Sequence, residues 1–340
     1  MNRAELVNTL DLLRPALASD NTVPIFQCFV FAGDKIYAYN DSLGIVGPSG
    51  KGFPTQAAFH GATFYGLLSS SSAEDVSFKL DGDQAVFTLG KTVSKLPFHD
   101  QSQFIFEVPE DSWEFELNCN AGFVEALGIC LDTVSKDSTQ AALNGVTIAG
   151  NHMFSCDGDA LTQIGITDIG KNRAMLQTEF CNTVLNLCNV FDFDHGVISI
   201  SSDWMRFQCE DWSVYGRVLQ IADPIDFAGE VKKTLKGKKV EYKSLPDGFK
   251  GTLVRARVLA DPESKKTRLT VKNNILEVFT ETHMGEVKDE MPFTHADVVA
   301  DVNAAYLQRA LKYCDQVAIF DNCVLFRRDP KLVQLISNMG

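Results

Sequence analysis

The sequence predicts three tandem α+β domains, each with its helices laid on one face of a mostly antiparallel sheet. Three observations carry the prediction. An apolar helical stripe, a turn and a hairpin open the chain, the same pattern returns 117 residues later, and a third copy begins at Phe249. The expected domains are 1–112, 113–232 and 233–340.

In the first copy Leu6, Leu10, Leu13 and Leu17 recur at helical spacing. Asp20 to Pro24 makes a turn, and IFQCFVFAGDKIYAYND reads as a two-strand hairpin broken at Ala32-Gly33-Asp34. Adding 117 to each number gives Phe123, Leu127, Cys130 and Val134, then Asp137, Thr139 and Ala149-Gly150, with strands LNGVTIAGNHMFSCDGD. In the third copy Leu253 and Ala256 continue the stripe from Phe249, and RLTVKNNILEVFTET forms the hairpin around Asn273-Asn274. Each copy then has a second helix and a strand pair. These are FHGATFYGLLSS with VSFKLDGDQAVFTL, EFCNTVLNLCNV with GVISISSDWMRFQC, and NAAYLQRALKYC with QVAIFDNCVLFRR. The agreement of helix stripe, turn and hairpin in one register marks an internal repeat. The third copy is weaker, its strands lying 240 residues beyond those of the first and its connecting turn differing by about three residues. Boundaries are expected near Ser112–Trp113 and in the Lys-rich stretch VKKTLKGKK (231–239), read as a solvated linker.

The 340 residues are 45% hydrophobic, enough for substantial cores, and 22% charged, which argues against wholesale disorder. The net charge of −13 argues against DNA binding over the whole surface, because phosphates repel it. Any DNA contact must come from basic residues gathered on one face. The nine cysteines include no C-x-x-C pair, so they read as reduced, mostly buried thiols, and no zinc site is expected. MNRAELVNTLDLLRPAL lacks the apolar core of a signal peptide, and no apolar run is long enough to span a membrane. A cytoplasmic protein is expected.

The leucine-asparagine-glycine of LNGV (143–146), the Asp157-Gly158 after its hairpin, VRARVLAD (254–261), GEVKDEM (285–291) and DVNAAYL (301–307) occur in an order that resembles the bacterial DNA polymerase III beta-subunit sliding clamps. The resemblance covers essentially the whole chain and is that of a divergent member, possessing three clamp-type domains. It implies the DNA clamp fold, with helices on the inner face of the sheets and a ring formed by a head-to-tail homodimer. It also implies a non-catalytic processivity factor that encircles double-stranded DNA, binds a DNA polymerase and a clamp loader, and needs no cofactor.

On that reading the DNA-facing residues are Arg3, Arg14, Lys136, Lys250, Arg255, Arg257, Arg309 and Lys312. FKGTLVRARVL (249–259) and NAAYLQRALKYC (303–314) carry bases and no acid, whereas the earlier helices also hold Glu5, Asp11, Glu125, Asp132 and Glu179. DNA contact is therefore expected to be weak and salt-dependent. Carried over by motif, the partner-peptide groove has walls of Leu143, Cys156, Gly158, Leu161 and Pro224, plus the tail residues Leu335, Ile336 and Met339. The tail reads QLISNMG where family members end in a Met-Pro-Met type sequence, which suggests a dedicated partner such as a virus-encoded polymerase. The resemblance places Leu96, Val258 and Leu259 at the dimer interface.

Catalytic signatures are missing: no G-x-x-x-x-G-K-[ST], H-E-x-x-H or G-x-S-x-G occurs. DFDHG (192–196) reads as a polar turn, Asp157 and Asp159 as solvated acids, and Ser69–Ser72 as a loop. Two alternatives remain at this point. One is a clamp-like decoy or adaptor that binds replication partners without encircling DNA, favoured by the poor basic balance of the first two copies. The other is a metal-dependent nucleic-acid enzyme. Dimer and trimer are both open.

Overall fold

The repeated stripes become repeated helices because their apolar positions fall on one side. Leu6, Leu10 and Leu13 are buried, as are Phe123, Leu127 and Cys130, and Phe249, Leu253 and Ala256. Each such side chain removed from water contributes about 1.5–3 kcal/mol. The computed structural model describes residues 2–20, 22–50, 56–104, 106, 113–137, 139–193, 195–219, 221, 224–260 and 266–339. Ser112, Asp194, Asp261 and Gly340, which the sequence reading touches, lie outside the described residues.

The first repeat runs α1 (Arg3–Leu13), β1 (Cys28–Ala32), β2 (Lys35–Tyr39), β3 (Leu43–Pro48), β4 (Gln56–His60), α2 (Gly61–Ser69), β5 (Val76–Asp81), β6 (Gln84–Leu89) and β7 (Thr92–Pro97). The second runs β8 (Phe115–Asn118), α3 (Ala121–Leu131), β9 (Gly145–Ala149), β10 (His152–Cys156), β11 (Ala160–Gly165), β12 (Arg173–Gln177), α4 (Thr178–Phe191), β13 (Val197–Ile200), β14 (Trp204–Cys209) and β15 (Trp212–Arg217). After α5 (Phe227–Thr234) and β16 (Lys243–Ser244) comes the third: α6 (Phe249–Leu259), β17 (Lys266–Lys272), β18 (Ile275–Thr282), β19 (Gly285–Pro292), β20 (Val298–Asn303), α7 (Ala304–Ala310), β21 (Gln316–Ile319), β22 (Cys323–Asp329) and β23 (Leu332–Ser337).

The α+β class holds, with three corrections of detail. The hairpins are parts of three-strand meanders, and a fourth strand precedes each second helix. β1 starts only at Cys28, because Pro24–Gln27 form a 3-10 turn. The Lys-rich stretch is no linker at its start: Val231 to Thr234 continue α5, whose Phe227 is buried and stacks on Phe154 at 5.8 Å. The first turn of each meander needs left-handed backbone. Gly33 and Gly150 supply it in the first two repeats, and Asn273 and Asn274, at φ 52° and 61°, supply it in the third.

The chain divides into two units, residues 1–124 with 176–219 and residues 125–175 with 220–340. In unit one an eight-stranded sheet has the order β4-β1-β2-β3-β15-β14-β13-β8, and β5-β6-β7 form a separate sheet. Unit two has the order β12-β9-β10-β11-β23-β22-β21-β16, with a separate β19-β18-β17-β20. Each large sheet thus fuses a first-half meander of one repeat to a second-half meander of another. The antiparallel junctions, Leu43↔Gly216 to Val46↔Ser213 in unit one and Ala160↔Ile336 to Ile164↔Leu332 in unit two, share one repeat-equivalent register. Among the described residues β7 and β19 end their sheets with no strand on their outer edges.

Beneath the unit-two sheet, the buried Thr133 hydroxyl meets Ser155 at 2.7 Å and Thr162 at 2.6 Å, and the Gln334 amide donates to Thr162 at 3.1 Å. These hydroxyls satisfy one another, so polar side chains are accommodated in an otherwise apolar interior. Among the described residues no helix is long and apolar enough to cross a membrane, and no group of three or more His, Cys, Asp or Glu is placed to hold a metal ion.

Candidate functional site

Unit two presents a two-sided sheet whose faces follow from strand alternation. Cys156, Leu161, Leu335, Leu325 and Ala318 stand opposite one another across β10, β11, β23, β22 and β21, so they form one apolar row. That row belongs to a single hydrophobic cluster with Leu143, Phe154, Ile225 and Phe227. Four of the expected groove residues, Leu143, Cys156, Leu161 and Leu335, are therefore brought together. Gly158, at φ +102°, sits in the adjoining β10–β11 turn with open space where a side chain would project. Pro224 is exposed just before α5.

Ile336 is a correction. It neighbours Leu335 in sequence, so it points to the opposite face, where it is 1% exposed beside Gln334's side of the sheet. Met339 does not join the cluster. Its N–H donates to the Asp301 carbonyl at 2.7 Å, leaving the side chain partly exposed. Phe154, Phe227 and Leu325 were missed. The signal for Leu325 was the strand alternation of CVLFRR, and for Phe227 an aromatic residue set in an otherwise polar segment.

The basic residues divide by what already holds them. On α6 the outward positions are Lys250, Val254, Arg257 and Val258, opposite the buried stripe. Arg257 donates to Gln308 at 2.9 Å and stays exposed, and Lys250 and Lys136 are exposed with no ion pair among the described residues. Arg255 is paired with Asp289 at 2.5 Å, Arg14 with Asp11 at 2.9 Å, and Lys312 with Asp132 at 3.0 Å. Lys312 lies in the turn after α7, which is shorter than the sequence stripe suggested. Arg3 donates to the carbonyls of Ala73 at 2.7 Å and Leu68 at 3.1 Å, closing the end of α2.

Arg309 is engaged most fully. It pairs with Asp157 at 3.1 Å, donates to the Asp132 carbonyl and lies 4.5 Å over the Tyr306 ring. Asp157 is consequently no solvated acid: its other oxygen accepts the Ala160 N–H at 2.9 Å, and its side chain is 14% exposed. Tyr313 donates to Asp132 at 2.6 Å, and burial together with that carboxylate pushes its phenol up. This clasp joins α7, the end of α3 and the turn that carries Gly158.

No protein-family model matches the sequence, and no curated protein matches it. Solved structures do match over the full length. The DNA polymerase III beta subunit of Thermotoga maritima superposes with a TM-score of 0.85 at 16% identity, covering 100% of this chain and 98% of that one. A putative DNA polymerase III beta subunit from Eubacterium rectale gives 0.87 at 14% identity with the same coverage. A Pseudomonas aeruginosa sliding clamp solved with griselimycin gives 0.85 at 13%, again with that coverage. The chain has the sliding-clamp fold.

Within the clamp fold the remaining expected residues sit at edges. Leu96 lies on β7, half-buried, and opposes Ala85. Val258 is 74% exposed on the last turn of α6, and Leu259 beside it is half-buried near Gly285.

Asp301, on β20, fixes the tail of this clamp fold. Its carboxylate receives Arg268 at 2.8 and 2.9 Å and Lys266 at 2.9 Å, and its backbone holds Asn338 and Met339. The Arg268 hydrogen bonds, with Lys266 adding to them against burial, hold its pKa down at about 2. A folded-state value below the ordinary ~3.9 means the stabilisation is complete above about pH 4 and fades as pH falls toward 2. Asp301→Asn is expected to cost about 1–2 kcal/mol at pH 7, discounted because Arg268 is half exposed, with the curves of both proteins converging near pH 2. Denaturant titrations across that range check it.

Proposed function

We propose that this protein is a DNA sliding clamp: a non-catalytic processivity factor whose copies close head to tail around duplex DNA. A hydrophobic groove on unit two then tethers the replicative polymerase. It would act in the cytoplasm with a clamp loader and with no cofactor. The domain limits 1–112, 113–232 and 233–340 are part of this reading.

The observation that carries it is the pair of unmatched half-sheets. β17–β20 is a first-half meander and β5–β7 a second-half one, the same two kinds that fuse inside each unit. Pro48, Gly165 and Pro292 are equivalent, since each opposes the first residue of the middle strand, Lys35, His152 and Ile275. Thr92, Trp212 and Leu332 are equivalent in the last strands, each opposing the residue across its turn. Carrying the two internal junctions onto β19 and a second copy's β7 places Leu96 opposite Val287, Lys95 opposite Lys288, Ser94 opposite Asp289 and Val93 opposite Glu290. Lys288 is flanked by Glu277 at 2.8 Å and Glu290 at 3.2 Å, which offsets the facing Lys95 charge. Leu96 and Val287 would meet on the side of the sheet covered by α6, close to Leu259 and Val258.

DNA contact in this arrangement falls to the cations not already clasped, Lys136, Lys250 and Arg257, with Arg14, Arg255 and Lys312 able to exchange an exposed acid partner for phosphate. Few contacts suit a ring that holds by enclosure and must slide. Light scattering on the purified protein is the test. Twice the mass of one chain is expected. A monomer at micromolar concentration contradicts closure, and three times the chain mass replaces the dimer by a trimer.

A second reading is the decoy that binds replication partners without surrounding DNA. The engagement of Arg3 and Arg309 within the protein favours it, and it predicts no topological retention on DNA.

A further inference from the structure

On the helix α5 side of unit two, a cavity of about 560 Å³ opens over β9 and β10. It adjoins the apolar row of the groove, with which it shares one hydrophobic cluster through Phe154, Ile225 and Phe227, and extends from it over β9. Its walls are apolar: Ala149, Phe154, Ile225, Phe227 and Val231. Cavities of this size with mostly apolar walls and a few polar groups are typical ligand sites. The stacked rings of Phe154 and Phe227 form its floor toward the groove.

The rim is cationic in a protein of net charge −13. Arg173 and Lys232 line the opening and are exposed. One Arg173 nitrogen donates to the Ile225 carbonyl at 2.6 Å, which fixes the guanidinium at the mouth and leaves its other N–H groups available. The single lining acid, Asp226, uses Oδ1 to cap α5 through the Gly229 N–H at 3.0 Å. His152, also at the rim, has its pKa lowered by burial and adds no charge at neutral pH.

We propose that this cavity extends the groove of the proposed function, on which reading it rests, and takes an acidic peptide segment of a partner protein. One large apolar side chain enters between Ile225, Phe227 and Val231, while flanking carboxylates meet Arg173 and Lys232. The apolar walls supply affinity by desolvating the anchor, and the two cations select acidic over neutral flanks. The proposal does not depend on ring closure, since every residue in it belongs to one unit of one chain.

The probe is a fluorescein-labelled peptide, acetyl-Glu-Glu-Trp-Glu-Glu-amide, with the Gln-for-Glu version as its neutral counterpart. Anisotropy titrations of the full chain are expected to show saturable binding of the acidic peptide, at least about tenfold weaker binding of the neutral one, and weakening with salt. Lys232→Gln is expected to weaken binding several-fold without disturbing the fold, because the side chain is exposed and has no structural partner among the described residues. Ala149→Phe, which fills the cavity, is expected to abolish it. Near-UV circular dichroism of both variants establishes that they are folded. No saturable binding, or equal binding of both peptides, overturns the proposal. So does binding lost in Leu161→Asp but untouched by Lys232→Gln and Ala149→Phe, which confines the peptide to the apolar row of Cys156, Leu161 and Leu335.

Discussion

Arg309→Ala is expected to lower the stability of unit two by about 3 kcal/mol, more than the loss of Lys312 or Arg257. The cause is what it leaves behind. Asp157, 14% exposed, would lose its cationic partner, and the Asp132 carbonyl would lose its donor. Lys312→Ala, at 59% exposure, is expected to cost less than about 1 kcal/mol, because exposed pairs contribute little. Arg257→Ala should leave stability within about 0.5 kcal/mol and act only on DNA. Urea unfolding of the three variants separates these roles. Equal small losses for all three would mean that Arg309 is an ordinary surface cation.

The pair Leu96→Cys with Val287→Cys is expected to lock the protein into covalently closed dimers under mild oxidation. Opposed residues in antiparallel strands have Cα atoms about 4.5–5.5 Å apart, inside the range a disulfide spans. The nine native cysteines interfere little, since all but the half-buried Cys156 are buried. Either single variant should remain separable on a non-reducing gel. A dimeric double variant that fails to cross-link would contradict the register carried from the two internal junctions. Val258→Asp is the complementary change: at 74% exposure it should leave the fold intact while shifting the protein toward monomer.

Much of the fold was legible because the repeat fixes it three times over. Leu6, Phe123 and Phe249 mark the buried side of three equivalent helices, and Gly33, Gly150 and Asn273 mark three equivalent turns. The third strand of each meander was harder to read. LGIVGP in β3 is buried along nearly its whole length, so it shows no alternation. The fusion of meanders from different repeats into eight-stranded sheets is a long-range pairing that no local pattern announces.

The site was half legible. Leu143, Cys156, Leu161 and Leu335 share one apolar cluster, whereas Ile336 lies on the other face of the sheet, because successive strand side chains point to opposite faces. Charge was read least well. A sequence shows that Arg309 is basic but not that Asp157 waits for it from the turn of another repeat. The same long-range pairing ties Arg3 to the Ala73 and Leu68 carbonyls and leaves Lys136, Lys250 and Arg257 exposed with no ion pair among the described residues.

Retention on nicked circular DNA, before and after the circle is cut once, tests most directly whether the chain works by enclosure. Protein loaded onto the circle, with a loader or by transient opening of the ring, should stay bound through a gel-filtration column in moderate salt. It should slip off when the DNA is linearised, and the oxidised Leu96→Cys, Val287→Cys ring should stay on the circle even at high salt. Equal retention on circular and linear DNA, or none on either after loading has been attempted both ways, would contradict the account.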